Sequence, residues 1–389
     1  LTKNLSPIEV AIVIADADRI YKLLPDAVLK PWGLVHREAR AITGVSVGVG
    51  ELWLASAQQG PDNYASRIEG QNANLGEVLA GLSEDKTKLK VFLGANAYGM
   101  LEKTAYRGKT EAWYVRKVKG RAGFLGGPKS TRQKEELKKL LLGTGVGEDV
   151  ENWPKDVAEL FGIIEPVQKG EAYVVPAGTL HTMFAIGEDS YLIIDEIQQG
   201  YGNSLLPTLS KILMVQNSIL SVQVHPDDET VRQAAEGELD IHQDLSANPT
   251  VRVYDFGRRP GEYPELGFKL TDVDAGLQRF QPVNVEGNDD AKRTLLAAVP
   301  EFVKMLIEIP EGGNALLYPP YGSYHVLHCT KGEAMLKAGN CSCELKAGET
   351  AFVPGAVETM VTIHAGAECD LFDDAVPEAG ALGNCLKLR

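Results

Sequence analysis

The sequence is short of basic charge, of aromatic residues and of cysteine, and it has no long apolar run. Only 39 lysines and arginines stand against 53 aspartates and glutamates, a formal net charge of -14. Nucleic acids and anionic membrane surfaces carry charge of the same sign, so neither is an expected partner. The apolar run at residues 8–15 is about half of the roughly 20 residues a bilayer needs, and it meets Asp16 and Asp18 directly. It therefore reads as core, and the expected location is the cytoplasm. Cysteine is confined to Cys329, Cys341, Cys343, Cys369 and Cys385, an odd number without framework spacing. This excludes a disulfide scaffold and fits a reducing compartment. His325 and His328 beside Cys329, Cys341 and Cys343 lack the spacing of a zinc module, and strand alternation would scatter them over two faces.

What remains is an ordinary globular composition of 389 residues, 44% hydrophobic and 24% charged. That length supports more than one core, and two domains is the natural expectation. Short strands separated by glycine-rich turns dominate, at residues 41–55, 112–118, 171–175, 191–197, 218–224, 303–309, 315–318, 334–337 and 350–353. Strands at this density indicate sandwiches or barrels. Helical periodicity is confined to residues 74–82, 130–142 and 153–161, the last two forming a small helical insertion near 128–165.

An internal echo organises the chain. GEAYVVPAG at 170–178 and GETAFVPGA at 348–356 share a glycine, five residues, a proline and then small residues. Each reads as a turn glycine, a strand and a proline that ends the ladder. Two copies imply two similar β-barrels, so the expected fold class is mainly β. The polar GNDDAK stretch at 287–292 reads as linker or turn, dividing a metal-binding catalytic unit over 1–288 from a degenerate copy over 289–389.

The first copy runs on to His181, in the spacing of a cupin metal motif, whereas the second has Thr359 at that place. A metal is therefore expected in the first barrel alone, and it needs three or four converging ligands. GKTEAWYV at 108–115 puts Glu111 at the start of a strand beside Lys109, and SVQVHPDDE at 221–229 sets Ser221, Gln223 and His225 on one strand face. Glu111, His181, Gln223 and His225 form a two-nitrogen, two-oxygen set. It suits Zn2+ or another divalent first-row metal with one position open. Trp32, Trp53 and Trp113 read as scaffold, and His36, His242 and His364 have no partner set.

These segments, with IDEIQQ at 194–199, TVRVYDFGR at 250–258, KPWG at 30–33 and GELW at 50–53, resemble the signature segments of type I mannose-6-phosphate isomerase. The similarity runs from about Lys30 through Arg258 and is weaker in the C-terminal part, where the family has its second cupin. The resemblance implies two cupin (jelly-roll) barrels and the interconversion of mannose 6-phosphate and fructose 6-phosphate. In that reaction a proton moves between C1 and C2 through an enediol. It also implies that Gln223, His225, Glu111 and His181 bind the metal and that Ser221 and Lys109 hold the phosphate. Arg252 would stabilise charge on the sugar oxygens. For the base, Glu196 is best placed by motif and Lys109 is the alternative.

Chain order departs from the family. There the glutamine and histidine segment precedes the glutamate, whereas here Gln223 and His225 follow Glu111 by more than a hundred residues. A transposed hairpin that returns to the same place preserves the chemistry, but a one-residue slip turns both ligands away. Two other readings keep the scaffold: an isomerase of a different sugar phosphate, and a non-catalytic sugar-binding or regulatory cupin, which an outward Arg252 or Lys109 would favour. Arg252 also has a structural reading, paired with Asp255. Oligomeric state is not fixed by the sequence.

Overall fold

The computed structural model describes residues 19–34, 48–58, 64–103, 106–144, 146–148, 150–153, 155–201, 204–239, 244–246, 248–258, 263–317, 322–355 and 360–378. The run at 8–15 with Asp16 and Asp18, residues 41–47, His36, His242, Thr359 and Cys385 lie outside these. The fold is mainly β. Among the described residues its largest sheet has eleven strands, through Gln278–Phe280, Ala172–Val175, Glu111–Gly126, His181–Gln199, Thr208–Gln216, Val49–Ala55 and Asp26–Leu34, with short strands attached to this path. Two of the short ones, Val222–Val224 and Val251–Tyr254, pair with each other, and the first also reaches His181–Gln199.

The C-terminal part is a sandwich. Its eight-stranded sheet takes in Lys292–Ala298, Val303–Ile309, Cys369–Ala375, His325–Lys331 and Thr350–Val353, and its four-stranded sheet runs Asn314–Leu317, Val361–Ala365, Glu333–Ala338, Cys341–Lys346. Alternating side chains such as Ile307, Leu327, Leu336, Ile363 and Leu371 fill the space between the sheets. Among the described residues the strands form separate antiparallel sheets, and none of them closes on itself as a barrel ladder. The two copies of the echo match in structure: Gly170 and Gly348 have φ of 93° and 92°, and each leads into a four-residue strand.

GNDDAK is the turn between Val283–Val285 and Lys292–Ala298, where Asp289 accepts from Arg293 and from the Leu316 N–H. Tyr21–Leu24, from the other end of the chain, pairs with Thr350–Val353 inside the C-terminal sheet. Lys304 and Asp374 of that sheet form a buried ion pair, and Ser210 of the large sheet donates to the same Asp374. A charge pair taken out of water needs such extra hydrogen bonds to offset its desolvation.

The expected helices are present at Leu75–Ser83, Thr131–Thr144 and Lys155–Phe161, the last two inserted between strands of the large sheet. Lys86–Leu93, Ala95–Lys103, Asp228–Ala235 and Pro264–Leu270 are helices that the periodicity did not mark, each under ten residues. Asn74 caps Leu75–Ser83. Its Oδ1 accepts from the Glu77 N–H while Glu77 accepts from the Asn74 N–H, a reciprocal box that satisfies two orphan donors. Asn74→Ala is expected to cost about 1 kcal/mol in urea unfolding, and Asn74→Ser much less. No described helix is long and apolar enough to cross a membrane.

The His325, His328 and cysteine group is dispersed. His325 bonds Asp373 and His328 bonds Thr350, while Cys341 and Cys343 lie in the other sheet. The four described cysteines are free.

Candidate metal centre and its cavity

Three segments far apart in sequence meet at one end of the large sheet. Glu111 begins its strand opposite Val175, and the turn at Pro176–Thr179 carries the chain from that neighbouring strand to His181. Val222–Val224 then lies antiparallel to the start of His181–Gln199, with Gln223 opposite both His181 and Arg252. Val222 and Val224 are buried in the core behind this strand. Alternation therefore turns Ser221, Gln223 and His225 the other way, toward Glu111 and His181.

Backbone contacts fix this meeting. The Gly178 N–H donates to His225 O at 2.6 Å, and the Lys109 N–H donates to Pro226 O at 3.2 Å. Gly108 permits the second approach, because a Cβ there would sit 2.3 Å from Pro226 O. Asp228, two residues further on, accepts from the Gly108 N–H at 2.7 Å and from Gln199 Nε2 at 3.0 Å. Asp228→Ala removes both of these part-buried hydrogen bonds and is expected to cost about 1 kcal/mol in denaturant unfolding, largely restored in Asp228→Asn.

The ligand atoms face one another. Glu111, His181 and His225 are at most 2% exposed, and their candidate donor atoms lie within 4.8 Å of one another. His225 Nε2 is 3.2 Å from one Glu111 oxygen and His181 Nε2 is 3.6 Å from the other. Each imidazole is anchored behind, His181 Nδ1 on Thr179 O at 2.8 Å and His225 Nδ1 on Pro249 O at 3.1 Å. A carbonyl accepts only, so each Nδ1 carries the proton and each Nε2 presents a lone pair to the centre. His181 Nε2 is buried and has no hydrogen-bond partner among the described residues. Two neutral imidazoles, a carboxylate and the Gln223 amide fit a divalent metal of the Zn2+ type.

Electrostatics favour the same assignment. Burial, reinforced by the Lys109 charge, pushes His225 down to about 3, and burial also lowers His181. Burial opposes ionisation of Glu111, but the Lys109 ammonium overcomes it and holds the carboxyl well below its usual range. At neutral pH no proton competes for these ligand atoms. The Lys109 ammonium, 2.5 Å from Glu111 and 3.3 Å from His225 Nε2, supplies positive charge where the lone pairs converge.

The centre opens into a cavity of about 350 Å³ lined by Glu111, His181, Gln223, Lys109, Ser221, Arg252 and Glu196 among others. His225 stands behind this wall, through its contact with Glu111. Lys109 and Arg252 both line the cavity. Arg252 Nε is 3.9 Å from Asp255, too long for a hydrogen bond, while Arg258 takes Asp255 at 2.9 Å. Sequence reasoning missed several lining residues. Lys211 bridges toward Glu196 at 3.2 Å and lies over Trp53, and Glu51 takes Lys30 at 3.2 Å and the Trp53 indole at 3.0 Å. A lysine inside the apolar run SKILMV was the available signal for Lys211. Trp32, Trp53 and Trp113, expected as scaffold, are buried and also line the cavity, with Trp53 stacked on Tyr64 at 4.4 Å. Burial and the charge of Glu111 raise Glu196 to about 7, against the opposing pull of Lys211.

No protein-family model matches the chain, and no curated protein matches it in sequence. Solved structures do. The mannose 6-phosphate isomerase of Bacillus subtilis is 18% identical, with a TM-score of 0.56 over 92% of this chain and 99% of its own. A zinc-bound mannose 6-phosphate isomerase is 15% identical, with a TM-score of 0.54 over 92% and 100%. The Salmonella typhimurium mannose 6-phosphate isomerase bound to its substrate (f6p) and zinc is 13% identical, with a TM-score of 0.53 over the same shares. At these identities the likeness establishes a shared fold.

Proposed function

We propose that this chain is a metal-dependent aldose-ketose isomerase that interconverts mannose 6-phosphate and fructose 6-phosphate through an enediol. The observation that carries the reading is the convergence of two anchored imidazole lone pairs on a buried carboxylate, at the wall of a cavity that also holds a second carboxyl poised near neutrality. Glu111, His181, His225 and Gln223 hold the divalent metal, for which Zn2+ suits the donor set. When bound, it supplies Lewis acidity toward the sugar oxygens.

The remaining residues orient substrate and move the proton. Ser221 and Lys109 line the wall and hold anionic oxygens of the substrate, the phosphate included, by a hydroxyl donor and an ammonium. Arg252 faces the same space and stabilises charge that develops as the enediol forms. Glu196, with a value of about 7, exists in both forms near neutral pH, so it takes the proton from one carbon and returns it to the other. Gln223 and His225 act from the late segment as they would from an early one, since chemistry depends on convergence in space and not on chain order.

The test is conversion of mannose 6-phosphate to fructose 6-phosphate by metal-reconstituted protein, with a chelator-treated control. Turnover lost on chelation and regained with Zn2+ is the expected result. Stoichiometric metal without turnover would redirect the search to other sugar phosphates and promote the sugar-binding alternative.

A further inference from the structure

IDEIQQ holds two glutamines, and they do different things. Gln199 points to the back of the sheet, where its amide donates to Asp228. Gln198 is on the other face. It is 0% exposed, and among the described residues neither its Oε1 nor its Nε2 has a hydrogen-bond partner. A buried amide with both ends unpaired lowers the stability of the fold, so its presence at this place calls for a use.

Its position supplies one. Gln198 is directly opposite Glu111 in the antiparallel ladder, on the face that Glu111 and Glu196 share. The Gln199 N–H donates to Thr110 O, so the next pair along, Glu111 with Gln198, is of the closer, non-hydrogen-bonded kind. Side chains of such a pair are within reach of each other. On its other flank the paired residue is Leu209, which offers no polar atom to the amide. At present Glu111 is engaged by the Lys109 ammonium and by His225. We infer that Gln198 is a positioning residue for Glu111, its amide held at the ligand centre to hydrogen-bond the carboxylate once a divalent cation takes the place of the Lys109 ammonium.

This inference rests on the metal-centre reading above, and its test separates the two. Full-length protein is stripped with chelator and titrated with Co2+, whose visible absorption reports the ligand set, and with Zn2+ in competition with a chromophoric chelator. Gln198→Met keeps the length and removes both hydrogen-bonding ends; Gln198→Leu is the second variant should the thioether pack badly. Affinity for both ions is expected to fall by roughly 10–100-fold, as when a group that orients a metal ligand is lost. The metal-free variants are expected to unfold at the same or a higher temperature than the parent, because an unpaired buried amide has been exchanged for an apolar group. Unchanged affinity, with the parent binding metal, overturns the role of Gln198 and leaves the proposed function standing. Weaker binding together with a lower unfolding temperature in both metal-free variants assigns Gln198 to packing and overturns the inference. A parent protein that binds neither ion overturns it along with the reading beneath it.

Discussion

His225→Ala is expected to abolish stoichiometric Zn2+ binding and, with it, turnover of mannose 6-phosphate. The His225 Nε2 lies 3.2 Å from Glu111 and its Nδ1 is fixed on Pro249 O, so the ring is a preset donor at the centre. Loss of a group that merely orients a ligand weakens metal binding roughly 10–100-fold, and loss of the ligand itself should exceed that. The substitution also removes the bond to Pro249 O, for which a cost of about 1–3 kcal/mol leaves a folded protein. Circular dichroism and thermal unfolding of the metal-free variant separate the two effects. If the variant kept one tightly bound metal per chain, the 221–225 segment would not belong to the centre, and the meeting of the three segments would have no catalytic meaning.

Glu196→Gln is the second large effect. A positioned general base contributes roughly 10²–10⁴-fold, so kcat should fall by that factor while metal affinity stays near that of the parent. The pH profile carries the sign. Burial and Glu111 raise the Glu196 carboxyl to about 7, and a base must be ionised to act. Turnover by the parent should therefore decline as pH falls through a limb at or below about 7, since positive charge at the Glu111 site can only draw the value down. Glu196 is not one of the proposed metal ligands, so the Glu196→Gln variant should lose the limb without losing its metal. A variant that retains parental kcat would transfer the role of base to Lys109, and Lys109→Met would then be the substitution that removes turnover.

The residues differ in how far each was legible before the structure. His181 and Glu111 could be read because each is tied to a local signal: a glycine, a strand and a proline before the first, and the start of a strand beside Lys109 for the second. The common orientation of Ser221, Gln223 and His225 was equally local, since it follows from strand alternation alone. Both copies of the echo, and the strands at 303–309 and 350–353, were legible for the same reason. For GNDDAK the composition left linker and turn open, and the pairing of Asp289 with Arg293 pins it as a turn; that Tyr21–Leu24 joins the C-terminal sheet from the far end of the chain had no local signal.

What the amino-acid order determined by itself is the class of the fold and the inventory of donors: the turn glycines, the strand faces and the acid, amide and imidazole groups set upon them. Only the tertiary structure decided that Gln223 lies against His181 and Arg252, that Asp228 clamps Gly108, that Lys211 sits beside Glu196 and that Gln198 faces Glu111. The physical reason is that alternation specifies which side of a strand a residue occupies, whereas which strand lies alongside, and in what register, is settled by packing between segments distant in sequence.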